Sequence, residues 1–204
     1  MFENGSIERL RTYRKTYIAM LVSSFLSLVA SLVLSIDAVK LASQPKGQLS
    51  CDINTVLSCG TVAKAWQSQL LGFPNSFIGL MTEPVVITVA VAGLGLVTFP
   101  RWFMRVAHVV YGAGLIFALW LLSQSLFVIG SLCPWCLLVT VSTVTVFSTI
   151  SRVVFLENSW NFSPERQEKI VAFLEKGWGR VIYTGTYATI AIVIFVKYGN
   201  RLFN

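Results

Sequence analysis

Apolar residues along this chain gather into five runs, at about 17–39, 78–98, 105–128, 133–154 and 181–198. Each is long enough to cross the hydrocarbon core of a bilayer, which takes about 20 residues of helix. The first run follows a basic start. It outlasts the roughly 7 to 15 apolar residues of a secretory signal core and lacks a convincing small-residue cleavage site, so it is expected to remain as a helix. Between the first two runs lies a loop, 40–77, punctuated at Pro45, Gly47, Gly60, Gly72 and Pro74. Within it Val62, Ala63, Trp66, Leu70 and Leu71 fall at helical spacing, which predicts a short amphipathic helix on the membrane surface over the helix bundle. The stretch 157–179 predicts a further amphipathic helix, with Ser163 as N-cap and Pro164 at the first helical position. Arg166 stands where a capping box would carry an acid or amide. The pattern predicts an all-α integral membrane protein, a single membrane domain over 1–204.

Composition agrees with the pattern. Hydrophobic residues make up 55% of the chain and charged residues 12%, with a mean hydropathy of +0.70, too apolar for an ordinary water-soluble domain. The formal charge of +7 does not point to nucleic acid, because the basic residues sit between apolar runs and form no stripe or nucleic-acid motif. They report orientation instead, since cytoplasmic loops are enriched in Lys and Arg. One side holds eleven: Arg9, Arg11, Arg14, Lys15, Arg101, Arg105, Arg152, Arg166, Lys169, Lys176 and Arg180. The other holds five: Lys40, Lys46, Lys64, Lys197 and Arg201. The N-terminus is therefore expected in the cytoplasm. The C-terminus and all four cysteines are expected on the outer face of an inner or plasma membrane, where disulfides persist.

The cysteines fall as Cys51/Cys59 and Cys133/Cys136. Cys133-Pro134-Trp135-Cys136 opens the fourth run. Residues at i and i+3 share a helix face, about 5–6 Å apart, which suits a disulfide. A thiolate at a helix N-terminus is stabilised by free N–H groups and the dipole, and proline fits a first turn. The bland alternative is two small buried hydrophobes. Cys51 and Cys59, in a loop able to move, suit thiol–disulfide exchange with a soluble partner and then with Cys133; a static brace for the loop is the alternative. His108 is the single histidine, so a zinc site would consume all four cysteines, and no metal is expected.

Read together, these residues carry a resemblance. Cys51-Asp52-Ile53-Asn54, Ser58-Cys59-Gly60, Leu71-Gly72-Phe73-Pro74-Asn75-Ser76 with Gly79-Leu80, and Leu132-Cys133-Pro134-Trp135-Cys136, in that order over about 17–156, resemble the vitamin K epoxide reductase family, most of all its bacterial branch. The resemblance implies a four-helix bundle around a quinone, with a fifth transmembrane helix. It implies that Cys51 exchanges with a thioredoxin-like protein, that Cys59 attacks Cys133, and that Cys136 faces the quinone and forms a transient adduct or charge-transfer pair with it. Asn75 matches the asparagine that hydrogen-bonds a quinone carbonyl, and Asp52 the acidic neighbour of the first loop cysteine. The chain departs from the family at Thr140, where animal members carry tyrosine, and near Lys64-Ala65, where many carry serine. The bacterial branch often continues into a thioredoxin-like domain. This sequence stops at Asn204, and the expected electron donor is a separate extracytoplasmic thioredoxin-like thiol oxidase.

Other residues are weaker candidates. Glu83 lies inside the second run, where an ionisable side chain is costly enough to suggest proton handling for the quinone; an interfacial glutamate reaching back to water is the alternative. Trp66, Trp135 and Phe77 are expected to help line the quinone pocket. Trp102, Trp160 and Trp178 are expected at the membrane boundary, and His108 as a satisfied interfacial histidine. The expected activity is a quinone-dependent thiol oxidoreductase, using ubiquinone, menaquinone or a vitamin K type. The alternatives are an epoxide reductase in the narrow sense and a membrane protein with inert disulfides. A transporter is disfavoured by the lack of paired broken helices.

Overall fold

The computed structural model describes residues 2–44, 47, 49, 51–54 and 56–202, with side chains described from 13 to 199 of these. Pro45 and Lys46 lie outside the described residues. Among the described residues seven α-helices follow one another: α1 (Phe2–Ser43), α2 (Cys59–Lys64), α3 (Ser76–Leu94), α4 (Arg101–Gln124), α5 (Pro134–Leu156), α6 (Pro164–Glu175) and α7 (Trp178–Leu202). No strand occurs among the described residues. Among the described residues five spans, Tyr13–Ser43, Ser76–Leu94, Arg101–Ile129, Pro134–Leu156 and Trp178–Gly199, are long and apolar enough to cross a membrane. The protein is an all-α, multi-pass membrane protein.

Helix ends differ from the apolar runs for physical reasons. Hydropathy marks where a helix meets hydrocarbon, not where its hydrogen bonds stop. Helix α1 accordingly starts in the polar segment at Phe2, well before 17. Helix α3 stops at Leu94 rather than 98, because Leu96 turns left-handed at φ 62°. There Val97 N–H bonds Ala92 O and Leu96 N–H bonds Gly93 O, a Schellman closure. A π-turn, Ser125–Ile129, extends α4 and ends at Gly130, whose φ of 76° only glycine adopts freely.

Helices α1, α3, α4 and α5 form the bundle: α1 packs on α3 and α5, and α4 on α5. The α1–α3 seam is built from small residues, which let backbones approach closely. Ser24, Ser27, Ser31 and Ser35 recur at helical spacing, all buried. Gly79 of α3 sits so close to Ser31 that a Cβ there would collide with Oγ. Ser35 Oγ donates to Ser76 Oγ (2.9 Å). An apolar core of Tyr17, Met20, Val89, Ala90, Met104, Val146, Ile150 and Val153 fills the end of the bundle away from the cysteines. Helix α7 stands outside the bundle on α5 and α6, joined by Tyr187 to Thr145 (2.7 Å), Tyr183 to Ser148 O and Tyr198 to Leu126 O. Large apolar side chains on the outward faces, Phe25, Val85, Ile116 and Phe195 among them, are exposed, as lipid contact requires.

The 40–77 loop corrects one expectation. In place of one amphipathic helix there are two short pieces, α2 and a 3-10 turn over Trp66–Gln69, broken at Ala65, which is extended (φ −70°, ψ 140°). The break is held by Ser68 Oγ donating to Val62 O (2.6 Å). On the opposite side, α6 begins at Pro164 after Ser163, whose side chain makes no capping bond.

Candidate functional site

The four cysteines meet at one end of the bundle because main chain and polar side chains fold the 40–77 loop down onto it. Asn54 Oδ1 accepts from the N–H groups of Val56 (2.9 Å) and Leu57 (2.7 Å), closing a turn. Asp52 fastens both ends of the cysteine segment. Its carboxylate accepts from Leu49 N–H (2.9 Å), Gly60 N–H (2.8 Å) and Ser58 Oγ (2.8 Å). Gly60 is required there, since a Cβ would come within 2.8 Å of Asp52 Oδ2. Burial alone would push the Asp52 carboxyl up, but the Leu49 and Gly60 N–H groups, the Ser58 hydroxyl and the Lys64 ammonium outweigh it and hold it below the ordinary aspartate value. Leu57 then pairs in parallel with Leu132: Ser58 N–H donates to Leu132 O (3.0 Å) and Leu132 N–H to Val56 O (2.6 Å). This clasp sets the residue after Ser58 beside the residue after Leu132.

Those residues are Cys59 and Cys133, and their sulfurs lie 3.3 Å apart. Cys59 is disulfide-bonded to Cys51; Cys133 and Cys136 are free thiols. An S–S bond is about 2.05 Å long, so transfer of the disulfide from Cys51 to Cys133 needs about 1.3 Å of sulfur movement. Cys133 is not inside the helix but is its N-cap, with Pro134 at the first helical position. Its Sγ accepts from Cys136 N–H (3.3 Å), so a thiolate on Cys133 faces the free N–H end of α5. Leu41, Leu49 and Val62 bury the cluster from above.

Beneath the cysteines a cavity of about 560 Å³ opens between the four bundle helices. Cys59, Cys133 and Cys136 form part of its wall, with Gln67, Asn75, Glu83, Tyr111 and Thr140 as polar groups among leucines and valines. Asn75 Nδ2 donates to Gln67 O (2.7 Å), and Asn75 Oδ1 is buried with no partner among the described residues. Thr140 gives its one proton to Cys136 O (2.9 Å), so it faces the cavity as an acceptor. Glu83 is 4% exposed and accepts from Ser27 Oγ (2.8 Å) and Tyr111 O–H (3.1 Å). It does not reach back to water; two neighbouring helices hold it inside the bundle.

The three aromatics expected in the pocket lie outside its wall. The wall residues of α3, Ser76, Ile78, Gly79, Thr82 and Glu83, share one face of that helix. Phe77 is off that face and stacks on Phe73. Trp135, one residue before Cys136, is turned about 100° away from the Cys136–Thr140 face and packs against the cysteine cluster instead. Trp66 is 65% exposed and meets Trp120 edge-on. Gln67, Tyr111 and Ser27 were not foreseen, since none carries a motif. His108 lies at the far end, between Ser151 and Trp160. No cluster able to hold a metal ion occurs among the described residues.

Comparison with curated proteins gives no match. The profile of the vitamin K epoxide reductase family, however, matches residues 18–150, a stretch that contains all four cysteines, the clasp and the cavity. With about two thirds of its length matched, the chain belongs to the vitamin K epoxide reductase family of membrane thiol oxidoreductases.

Proposed function

We propose that the protein reoxidises a thioredoxin-like dithiol protein outside the cytoplasm and passes the electrons through its two cysteine pairs to a membrane quinone. The observation that supports it best is the chain of sulfurs: Cys51 bonded to Cys59, Cys59 in contact with Cys133, and Cys136 on the cavity wall.

The relay starts when a partner thiolate attacks Cys51 and Cys59 leaves with the bond's electrons. Cys59 then attacks Cys133, and Cys136 leaves as a thiolate toward the cavity. The partner's second thiolate closes the partner's own disulfide and frees Cys51, which takes Cys59 back and releases Cys133. At the end Cys51–Cys59 is a disulfide again and Cys133 and Cys136 are both reduced, the redox state described above. A bound quinone of the ubiquinone, menaquinone or vitamin K type accepts two electrons and two protons. The cavity's residues fit such a group: apolar walls suit a planar ring, and the orphaned Asn75 Oδ1 is placed to accept from a ring hydroxyl. Thr140 offers a second acceptor. Glu83, with Tyr111, is the ionisable group that can hold a proton for the ring. The Lys/Arg distribution supports an N-terminus in the cytoplasm, with the cysteines and C-terminus outside.

Purified protein supplied with dithiothreitol and a short-chain quinone should reduce the quinone, and Cys136→Ala should not; equal rates would end the proposed role of Cys136. For the outer end, a Cys59→Ala chain should accumulate a mixed disulfide between Cys51 and a secreted thioredoxin-like protein. Failure to form it under oxidising growth would remove the partner.

A further inference from the structure

The relay described above handles electrons, but each sulfur that leaves or attacks also needs a proton managed. Cys51 does both in one cycle. It leaves when the partner resolves the mixed disulfide, and it attacks when it recaptures Cys59. Near it stands a group that the relay does not use. Asp37, two residues after the last of the buried serines, Ser35, sits at the outer end of α1 and is 4% exposed. Its Oδ2 lies 3.9 Å from Cys51 Sγ. In the oxidised state that sulfur bears no proton and donates no hydrogen bond; the buried acid is aimed at a reacting atom. Its charged surroundings are Lys40 on its own helix and Asp52 in the loop, with Cys133 at the cap of α5 also within its field. A buried carboxyl is costly, and ionisable groups in such surroundings cluster at functional sites.

We propose that Asp37 is the proton-transfer residue of Cys51, giving a proton to its sulfur when it leaves and taking the proton back when it attacks. This rests on the relay proposed above. In the first step the partner's second thiolate bonds to the partner's own sulfur, the bond from that sulfur to Cys51 breaks, and the electron pair stays on Cys51 Sγ. The Asp37 carboxyl proton moves to that sulfur, leaving a carboxylate. In the second step Cys51 Sγ bonds to Cys59 Sγ, its proton returns to Asp37, the Cys59–Cys133 bond breaks, and Cys133 departs with the electrons. Asp37 ends as it began, and no outside oxidant or acid is consumed.

The test leaves quinone out, so that it reads only thiol exchange. Purified chain oxidised with diamide is mixed with dithiothreitol, and the appearance of thiols at Cys133 and Cys136 is followed by maleimide labelling from pH 7 to 9.5. General acid–base groups contribute about 10²- to 10⁴-fold to rates, and a flexible dithiol captures part of that. Asp37→Asn should therefore slow labelling about tenfold or more at pH 7. The deficit should shrink to within about threefold at pH 9.5, where bulk solvent ionises thiols of ordinary pKa near 8.5. Asp37→Glu should restore most of the rate. A rate within twofold of wild type at pH 7, or a deficit equal at both pH values, would overturn the assignment, the second outcome marking a structural role. If the asparagine chain does not accumulate, wild type decides. Its labelling rate at pH 7 should fall in deuterium oxide, and an unchanged rate would equally overturn it. A separate burst of quinone reduction by the reduced wild type tests the relay's inner end; its absence would refute the quinone reading and leave the Asp37 result standing on labelling alone.

Discussion

Removing the Asp52 carboxylate should loosen the grip of Cys59 on Cys133 without touching either sulfur. Asp52→Ala deletes three hydrogen bonds, from Leu49 N–H, Gly60 N–H and Ser58 Oγ. Bonds to a charged group contribute about 1.5–3 kcal/mol each when buried and less where water competes. Asp52 is half-buried, so about 0.5–1.5 kcal/mol per bond applies, or about 2–4 kcal/mol in all. At 1.4 kcal/mol per tenfold, that is about 30- to 700-fold in the constant for loop docking. The Leu57–Leu132 clasp and the apolar cover of Leu49 and Val62 remain, and they absorb part of the loss. The assay is the effective concentration of Cys59 for Cys133. In a Cys51→Ser, Cys136→Ser chain, the Cys59–Cys133 disulfide is titrated against glutathione with and without Asp52→Ala. A fall of tenfold or more is expected. An effective concentration within twofold of the parent would show that Asp52 does not position the loop.

Three further outcomes follow from the same geometry. Because the Asp52 carboxyl is held below its ordinary value, its contribution is complete above the unfolded value of about 3.9 and is lost as pH falls through the lower folded value; hydrogen exchange at the Gly60 amide should stay protected from pH 7 to 5 and lose protection only below about 4. Loss of protection already at pH 5 would contradict this. Gly79→Ala drives a methyl into Ser31 Oγ at the α1–α3 seam and should cost about 1–3 kcal/mol, whereas Gly185→Ala on α7 meets open space and should be neutral or slightly stabilising; thermal unfolding in detergent compares them, and equal midpoints would refute the close seam. Tyr111→Phe strips Glu83 of one of its two donors and should cost about 1–3 kcal/mol by the same measurement, with Ser27→Ala adding non-additively because both bond one carboxylate; an unshifted midpoint would mean that Glu83 is satisfied elsewhere.

The sequence shows the helices of this protein because lipid imposes one requirement on every spanning segment, and five apolar runs satisfy it. It shows the sulfurs because Cys133-Pro134-Trp135-Cys136 and the loop motifs carry their chemistry in their spacing. It shows much less of the cavity. Trp66, Trp135 and Phe77 were expected there on their chemistry, but wall membership is decided by the face of a helix, and each lies off that face or outside the bundle. Tyr111 and Ser27 reach Glu83 only because α1, α3 and α4 converge, a relation between residues distant in sequence. Asp37 carries in the sequence the same signal as Glu83, an acid in an apolar run.

The clasp between Leu57 and Leu132 has a consequence for how this region can vary. Its two bonds run from main chain to main chain, so the alignment of Cys59 with Cys133 is indifferent to which side chains occupy positions 57 and 132, provided they stay compact and apolar. It is not indifferent to counting. Cys59 stands two residues beyond Leu57 and Cys133 one beyond Leu132, and adding or removing a single residue in either short arm would swing one sulfur away from the other while leaving both present. The protein can drift in spelling across this junction, but it has no freedom in length.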